Sequence, residues 1–477
     1  MDRRQFCRGG LFGLAPFALA HMLAEQSSLA KPVKPNLAQP DYSLTEKPPH
    51  HEPKARAMIS LFMQGGPSQV DLLDPKPTLT RMDGEDFPGK IKYDDAGGAS
   101  RKILGSPWKF AQYGESGIPV SELLPQTAGI VDEITVIRSM HTGVNNHGQS
   151  IHAMNSGRVQ QGRPSLGSWI SYALGCETNS LPAFIAMSDP QGLPVEGVLN
   201  WSNGWLPSIY QGTVIRAREP RILNLQPPEQ ISSKLQANYL DFLRQVNQRQ
   251  LDRYSDNTDL AARIANFELA ALMQTSARDA LDLSQETKAT HQMYGLDDAN
   301  KDAAEYGARC LIARRLVERG VRFVQLFTKN QYWDHHGSIL SRLPASCRKT
   351  DRGAAALIKD LKQRGLLDST VVHWGGEMGR LPVIQNDAGR ANIGRDHNTY
   401  GFTMWVAGGG FRGGMTYGES DEFGHHAVKD IVNHFDYHAT LMHLFGLQAE
   451  NLVFKRNGRE ASLVDGQGGR IIEEILR

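Results

Sequence analysis

Cysteine is scarce in this chain: there are four in 477 residues. No Cys-x-x-Cys pair occurs, which excludes a zinc knuckle built on thiolates. Cys7 lies in the basic N-terminal segment. The other three, Cys176, Cys310 and Cys347, cannot all pair, so at most one disulfide can form among them and at least one thiol stays free.

The chain also has almost no net charge. Its 52 Lys and Arg against 51 Asp and Glu give a net charge of +1, so electrostatics favours neither nucleic acid nor an anionic membrane as a partner. With 40% apolar and 22% charged residues, the composition is ordinary for a globular protein. A small substrate or another protein is therefore the expected partner.

The N-terminus resembles a twin-arginine export signal. Arg3 and Arg4 are adjacent, Phe6 follows two positions later, and a weakly apolar run extends over residues 11–23. This run is too short and too interrupted to be a permanent membrane anchor. We expect residues 1–30 to be the signal peptide and the proline-rich residues 31–56 to be a linker. The predicted location is the periplasm, the cell envelope or the extracellular space.

Apolar segments of strand length alternate with segments of helical periodicity in residues 57–477. This alternation predicts an α/β fold, with one mostly parallel central sheet and helices on both faces. Residues of about 188–300 break the alternation, and we interpret them as a helical and loop insertion over the sheet. The predicted strands are 57–63, 134–137, 182–187, 321–327, 370–374 and 402–407, and the predicted helices are 229–254, 259–286, 303–319, 353–364 and 437–445.

Three polar clusters surround one predicted strand in the C-terminal half. They are Trp333–Gly337, Gly375–Arg380 and Gly394–His397. In an open α/β sheet, ligands gather at the tips of such strands. The clusters bring imidazoles together with carboxylates, which suits a divalent transition metal. The sequence thus predicts a metal site.

The same clusters and several further segments carry a resemblance to a known family. These segments are Gly65 to Pro77 (GGPSQVDLLDPKP), Arg138-Ser139-Met140 with His147, Trp333-Asp334-His335-His336, Glu377 to Pro382, Gly394 to His397, and Asp436 to Gly446. In this order they resemble the bacterial domain of unknown function 1501 family, whose fold is similar to the alkaline phosphatase and sulfatase superfamily. The resemblance covers almost the whole chain.

The resemblance implies two divalent ions at the strand ends, beside a Ser, Thr or formylglycine nucleophile. Asp334, His336 and His397 match the ligands of one ion, and Glu377 matches a carboxylate of the second. The metal would be Zn, Mn, Ca or Mg.

The chain departs from the superfamily pattern at several positions. The first strand ends at Gln64, where a ligating aspartate is usual, and Asp71 or Asp74 would have to replace it. Met378 stands where a histidine ligand of the second ion is expected. The nucleophile position holds His147, and no Cys-x-Pro-x-Arg sequence occurs, which argues against a formylglycine sulfatase.

The remaining site residues have more than one interpretation. His147 could be a ligand, a proton shuttle or a nucleophile, with ligand or shuttle favoured. Arg380 and Arg395 could hold an anionic ligand, or could pair with Glu377 or Asp396. Asp436 is expected to cap the last predicted helix at its N-terminus.

Two functions follow from this site. The first is a metal-dependent hydrolase of a phosphate or sulfate ester, in which the metal polarises the ester and activates water. The second is a non-catalytic protein that binds sulfated or phosphorylated glycans or scaffolds a cell-envelope complex.

Overall fold

The apolar runs of the sequence form the strands of a central sheet. The computed structural model describes residues 43–93, 99–223, 225, 231–254, 258–385, 387, 389–456 and 458–477. The predicted signal peptide, residues 1–30, lies outside the described residues. The strands of the central sheet are β1 (Ala57–Phe62), β2 (Ile134–His141), β3 (Phe184–Met187), β4 (Thr213–Ile215), β5 (Phe323–Phe327), β6 (Thr370–Gly375), β7 (Phe402–Ala407), β8 (Met415–Tyr417) and β9 (Val432–Asn433).

The sheet is mixed but mostly parallel. Its order is β8-β2-β7-β6-β1-β5-β3-β4, and β9 also pairs with β2. Strand β7 runs antiparallel to both of its neighbours, whereas the other described pairs are parallel. The carboxyl ends of β1, β2, β5 and β6 therefore meet at one edge of the sheet, together with the amino end of β7.

Helices cover both faces of this sheet, which confirms the predicted fold class. The α-helices are α1 (Gln69–Leu72), α2 (Pro77–Arg81), α3 (His147–Ser156), α4 (Leu166–Leu174), α5 (Ser233–Arg253), α6 (Thr258–Leu281), α7 (Lys288–Tyr294), α8 (Lys301–Glu318), α9 (Ile339–Gln363) and α10 (His434–Leu444). Side chains of β1 alternate between the faces, as the period of a strand requires: Ile59 and Leu61 pack with α8 and α9, whereas Met58 and Phe62 pack with α3, α4 and α10. No helix among the described residues is long and apolar enough to span a bilayer.

Several short strands lie outside the central sheet. One small ladder, Gly379–Arg380 with His397–Asn398, belongs to the candidate site described below. The other short strands are Ala99–Ile103, Phe110–Tyr113, Ile118–Ser121, Val383–Gln385, Glu419–Ser420, Ala427–Lys429, Val453–Arg456 and Arg459–Ser462.

The structure adds contacts to two segments that the sequence predicts to lie apart from the sheet, the linker and the insertion. Residues 43–56, the described part of the predicted linker, are hydrogen-bonded to the ends of helices α4 and α10. Lys47 N donates to Leu174 O, and Lys54 N donates to Leu444 O. These backbone hydrogen bonds hold in place a segment that its prolines alone would predict to be a flexible linker. The region proposed as an insertion, about 188–300, contains the helices α5 to α7 but also contributes strand β4 to the edge of the sheet.

Buried histidines on the α10 face of the sheet make a pH effect predictable. His438 donates from Nε2 to Met154 O at 2.7 Å, and burial lowers its pKa to about 4. Burial and the neighbouring His438 lower the pKa of His373 to about 3. Since both folded-state values lie below the usual value of 6.5, the unfolded chain binds more protons at acid pH. The stability associated with neutral histidines is present above pH 6.5 and is lost as the pH falls.

We expect the free energy of unfolding to fall steeply between pH 6.5 and about 4, by up to about 1.4 kcal/mol per pH unit for each such histidine. Substituting His373→Leu should make this dependence shallower. Because it also removes the contact of His373 Nδ1 with the buried Ser60 hydroxyl at 3.3 Å, the slope against pH is compared, and not the absolute stability. Urea unfolding at several pH values measures it, with the exposed His50→Leu as control. An unchanged slope in His373→Leu would contradict the prediction.

Candidate metal site

Four side chains from separate parts of the chain meet at the edge where the strands end. They are His147, Asp334, His336 and His397, and one ligand atom of each lies within 4.8 Å of all the others. His147 opens α3 just after β2, and Asp334 and His336 follow β5. His397 precedes β7, and because β7 is antiparallel its amino end lies at this same edge. The topology thus explains why residues so distant in sequence converge.

Local interactions fix each of these side chains. Asn146 caps α3 by accepting a hydrogen bond from Gln149 N at 3.2 Å, which sets His147 at the first helical position. Gly65 has a φ of +110°, and a Cβ there would lie 2.6 Å from Asp334 N. The turn after β1 can therefore approach the Asp334 backbone only because residue 65 is glycine. His397 pairs with Arg380 in the small ladder.

The distances among the four groups are those of a coordination shell. Asp334 Oδ1 lies 2.9 Å from His336 Nε2 and 3.2 Å from His397 Nε2, and the two imidazole nitrogens are 3.1 Å apart. His147 Nε2 lies 3.4 Å from Asp334 Oδ2. With bonds of about 2.0–2.1 Å, neighbouring ligand atoms around a tetrahedral zinc ion are about 3.3–3.4 Å apart. The donor set of three imidazoles and one carboxylate therefore fits a divalent transition metal.

Two of the imidazoles are oriented by an oxygen behind the ring. His147 Nδ1 lies 2.6 Å from Glu377 Oε1, and His336 Nδ1 lies 2.5 Å from Gln385 Oε1. Each acceptor can hold a proton on Nδ1, which directs Nε2 toward Asp334, and Nε2 can offer a metal its lone pair once it carries no proton. Metal-binding histidines in proteins typically have such an acceptor behind them.

Asp334 is held as an anion at the centre of the group. Burial alone would raise its pKa, but Arg380 and the hydrogen bonds of the three imidazoles outweigh burial and hold the pKa well below the usual range. Arg380 Nη2 lies 2.6 Å from Asp334 Oδ1. The carboxylate is therefore ionised at any physiological pH.

The pKa of His147 is raised, in contrast to that of Asp334. Burial would lower its pKa, but the hydrogen bonds with Asp334 and Glu377 raise the pKa to about 9. Glu377 is fully buried and also accepts from Gly65 N at 3.0 Å. A positive charge is thus favoured beside these two carboxylates, either as a proton on His147 or as a metal ion.

The structure places the other predicted site residues in structural contacts. Asp71 accepts two hydrogen bonds from the Arg395 guanidinium, at 2.8 and 3.0 Å, and it lies outside the group of four. Arg395 also donates to Leu381 O. Arg380 donates to the carbonyl oxygens of Gly65, Gly66 and Arg395. Both guanidiniums are fully buried and directed at protein acceptors.

The sequence interpretation did not include Gln385 or the orientation of His336. A glutamine in a short strand carries no motif, so only the fold reveals its position behind the imidazole. His336 has 32% of its side chain exposed, compared with 4% for His397. Solvent therefore reaches the group on the His336 side.

Solved structures with a related arrangement of elements include three proteins of low sequence identity. The lipoteichoic acid synthase LtaP from Listeria monocytogenes is 9% identical, with a TM-score of 0.37, over 86% of this chain and 75% of that one. The PsFucS1 sulfatase from Pseudoalteromonas sp. is 12% identical, with a TM-score of 0.34, over 84% and 69%. A protein of the alkaline phosphatase superfamily from Vibrio parahaemolyticus is 9% identical, with a TM-score of 0.32, over 84% and 69%.

Among curated proteins, none matches this sequence significantly. One family model does, and it covers residues 55–476, which include every strand of the central sheet and all four residues of the candidate site. Its description is "Protein of unknown function (DUF1501)". The chain therefore belongs to the DUF1501 family.

Proposed function

We propose that this protein is a metal-dependent hydrolase of anionic esters, either phosphate or sulfate esters, including those on glycans. One observation carries the proposal: three imidazole nitrogens and a carboxylate oxygen lie within 4.8 Å of one another at the carboxyl edge of the sheet. Among Zn, Mn, Ca and Mg, this nitrogen-rich set favours Zn, because Ca and Mg prefer oxygen ligands.

Asp334, His336 and His397 would hold the ion, since their ligand atoms are mutually closest, at 2.9 to 3.2 Å. Three protein ligands with a further position open is the usual form of a catalytic zinc site. When bound, a divalent ion polarises an ester oxygen and makes nearby water more acidic. The exposed side of His336 gives an ester access to this position.

His147 would then accept and donate a proton as a general base and acid. Its Nε2 is farther from Asp334, at 3.4 Å, while its Nδ1 is fixed by Glu377 at 2.6 Å. An imidazole oriented by a carboxylate can take a proton from water at Nε2 and return it to a leaving group. Arg380 would keep Asp334 ionised and positioned, without contacting the substrate.

Metal content and turnover test this proposal separately. The protein, loaded in turn with Zn, Mn, Ca and Mg, is analysed for bound metal and incubated with aryl phosphates and aryl sulfates. We expect about one tightly bound ion per chain and turnover that is absent in His397→Ala but retained in the matched surface variant His426→Ala. Turnover equal in wild type and His397→Ala, with every metal, would refute a hydrolytic role for this site.

The contact behind His336 provides a quantitative prediction. Substituting Gln385→Leu removes the acceptor at 2.5 Å from Nδ1 and frees the ring to change its tautomer. We expect a roughly 10–100-fold loss of metal affinity, the range observed for such supporting residues. Gln385→Glu keeps the acceptor and should bind at least as tightly as wild type. Competition titration with a chelating dye measures both, and equal affinities for all three proteins would contradict the assignment.

A second candidate function is binding without hydrolysis. It is favoured by the commitment of both Arg380 and Arg395 to protein acceptors and by His147 at the position where the family resemblance implies a Ser, Thr or formylglycine nucleophile. Such a protein would bind sulfated or phosphorylated glycans or scaffold an envelope complex. Metal-dependent, saturable glycan binding with no cleavage would favour it over the hydrolase.

We also propose that residues 1–30 direct export through the twin-arginine pathway to the periplasm or beyond. Arg3 and Arg4 support this, followed by the apolar run. Substituting both arginines with lysine should retain the protein in the cytoplasm, as measured by fractionation of cells. Equal export of both forms would exclude this route.

A further inference from the structure

Helix α5 carries an uncovered apolar stripe. Leu235, Tyr239, Phe242 and Val246 follow one another at spacings of four, three and four residues, which places them on one face. Their exposed fractions are 56%, 61%, 60% and 41%. Single exposed apolar residues are normal, whereas a contiguous row of four is a candidate interaction surface.

The neighbouring helix α6 does not account for this stripe. The more covered positions of α5 are Gln236, Leu240, Leu243, Asn247 and Leu251. They form a separate row beside the stripe. Contacts of α5 with α6, such as Gln236 with Gln274, come from this row and its edge. The apolar side chains of α5 therefore extend beyond the row that faces α6, and the described residues leave the stripe exposed.

We infer that this stripe pairs with its own counterpart on a second copy of the chain, across a two-fold axis between Tyr239 and Phe242. The order Leu, Tyr, Phe, Val places aromatic residues at the centre and aliphatic residues at the ends. An antiparallel pair then sets Tyr239 against Phe242 of the second copy, and Leu235 against Val246. A two-fold interface requires a surface that is complementary to itself in this way.

The charges around the stripe favour the antiparallel arrangement. Asn238 and Gln245 flank the stripe and are uncharged, so no like charges meet near the axis. Arg249 and Arg253 continue the same face toward the helix end. A parallel pair would place each arginine against its own copy, at an electrostatic cost, whereas the antiparallel pair places Arg249 opposite Ser232.

The available area matches a modest dimer. A Tyr or Phe side chain buries about 150–250 Å² when covered completely, so the open fractions of Tyr239 and Phe242 amount to roughly 180–300 Å² per copy. With Leu235, Val246 and the flanking amides completely covered on both copies, the total stays near or below about 1,200 Å², the low end for specific interfaces. We therefore expect a weak dimer whose population depends on concentration.

Sedimentation velocity of the full chain, over about 1 to 100 µM, tests this inference. The wild type should pass from 52.8 kDa toward twice that mass. The double variant Tyr239→Asp, Phe242→Asp should stay monomeric, with association weakened at least about 100-fold. Ala237→Asp introduces the same charge on the opposite, exposed side of α5 and should dimerise like wild type. Equal circular dichroism spectra and melting temperatures establish that all variants fold.

Two results would overturn the inference. One is a wild type that stays monomeric throughout the concentration range; if it then binds vesicles of phosphatidylcholine and phosphatidylglycerol through the stripe, the surface is assigned to a membrane. The other is a double variant that dimerises as strongly as wild type, which would place the interface elsewhere. None of these measurements depends on metal or on ester hydrolysis, so the inference stands apart from the proposed function.

Discussion

Asp334→Ala is expected to abolish metal binding and hydrolysis together. Asp334 is the only carboxylate of the described group of four and lies within 3.4 Å of all three imidazoles. Its removal eliminates a ligand and also the negative charge that attracts a cation. We expect metal affinity to fall by more than about 100-fold, beyond the range for residues that merely support a ligand. Turnover should fall to the level of His397→Ala.

Metal content by mass spectrometry and turnover with an aryl ester measure this effect. Asp368→Asn, which neutralises an exposed carboxylate paired with Arg477, is the matched control and should keep full occupancy. The melting temperature of metal-free Asp334→Ala must also be recorded, since Arg380 loses one partner but retains its three carbonyl acceptors. Wild-type metal content in a folded Asp334→Ala would refute the assigned site.

The second large effect concerns stability, and it involves Asp71. Both side chains of the Asp71–Arg395 pair are completely buried, and Ser68 Oγ also donates to Asp71 at 2.5 Å. Removing the carboxylate by Asp71→Ala leaves a buried guanidinium without its counter-ion. Breaking such a pair from one side typically costs about 3–5 kcal/mol, so we expect a loss of that size in the free energy of unfolding.

A double variant tests whether the loss of stability comes from the unpaired charge of Arg395. Asp71→Ala with Arg395→Met removes both charges and should recover most of the lost stability, because replacing a buried pair by apolar groups is often neutral. Glu419→Ala breaks the exposed pair with Lys429 and should leave the unfolding midpoint nearly unchanged. Chemical denaturation of all three variants measures the differences. If Asp71→Ala is as stable as wild type, the pair has no structural role.

The same variant decides between two interpretations of Asp71. The family resemblance suggests a metal ligand, whereas the geometry places its carboxylate against Arg395. If the geometric interpretation is correct, the folded fraction of Asp71→Ala binds the same amount of metal as wild type. A folded protein with empty sites would instead restore Asp71 as a ligand.

The sequence predicts the central strands because strands that are buried on both faces consist almost entirely of apolar residues. The run of residues 57–63 is apolar at nearly every position, as a strand covered on both faces must be, and β1 spans Ala57–Phe62. The same reasoning locates β5, β6 and β7 to within two residues at either end. Polar residues that flank these strands in the chain lie at one edge of the sheet. For this reason the sequence pattern groups the polar clusters 333–337 and 394–397, and the family resemblance singles out Asp334, His336 and His397 within them.

Long-range pairing and helix ends are less accessible to sequence. Helix α9 begins at Ile339, well before the predicted start at Gly353. Pro344 lies within its first turns, and a proline in a sequence usually indicates a break in a helix. The expectation that Asp436 caps the last helix is wrong: Asn433 caps α10, and Asp436 completes a capping box at the third helical position. The contact of Gln385 with His336 depends on how the short strand Val383–Gln385 lies beside the loop after β5. Local periodicity contains no information about such contacts.

The position of β2 in the sheet has a consequence for biosynthesis. Every described strand that pairs with β2 comes from residues 402–433, although β2 itself ends at His141. While the ribosome translates the intervening residues, β2 has no strand with which to pair. Both of its edges therefore stay exposed to aggregation or to chaperones. A product truncated before residue 402 would therefore leave an incomplete sheet, even with every one of the four candidate ligands present.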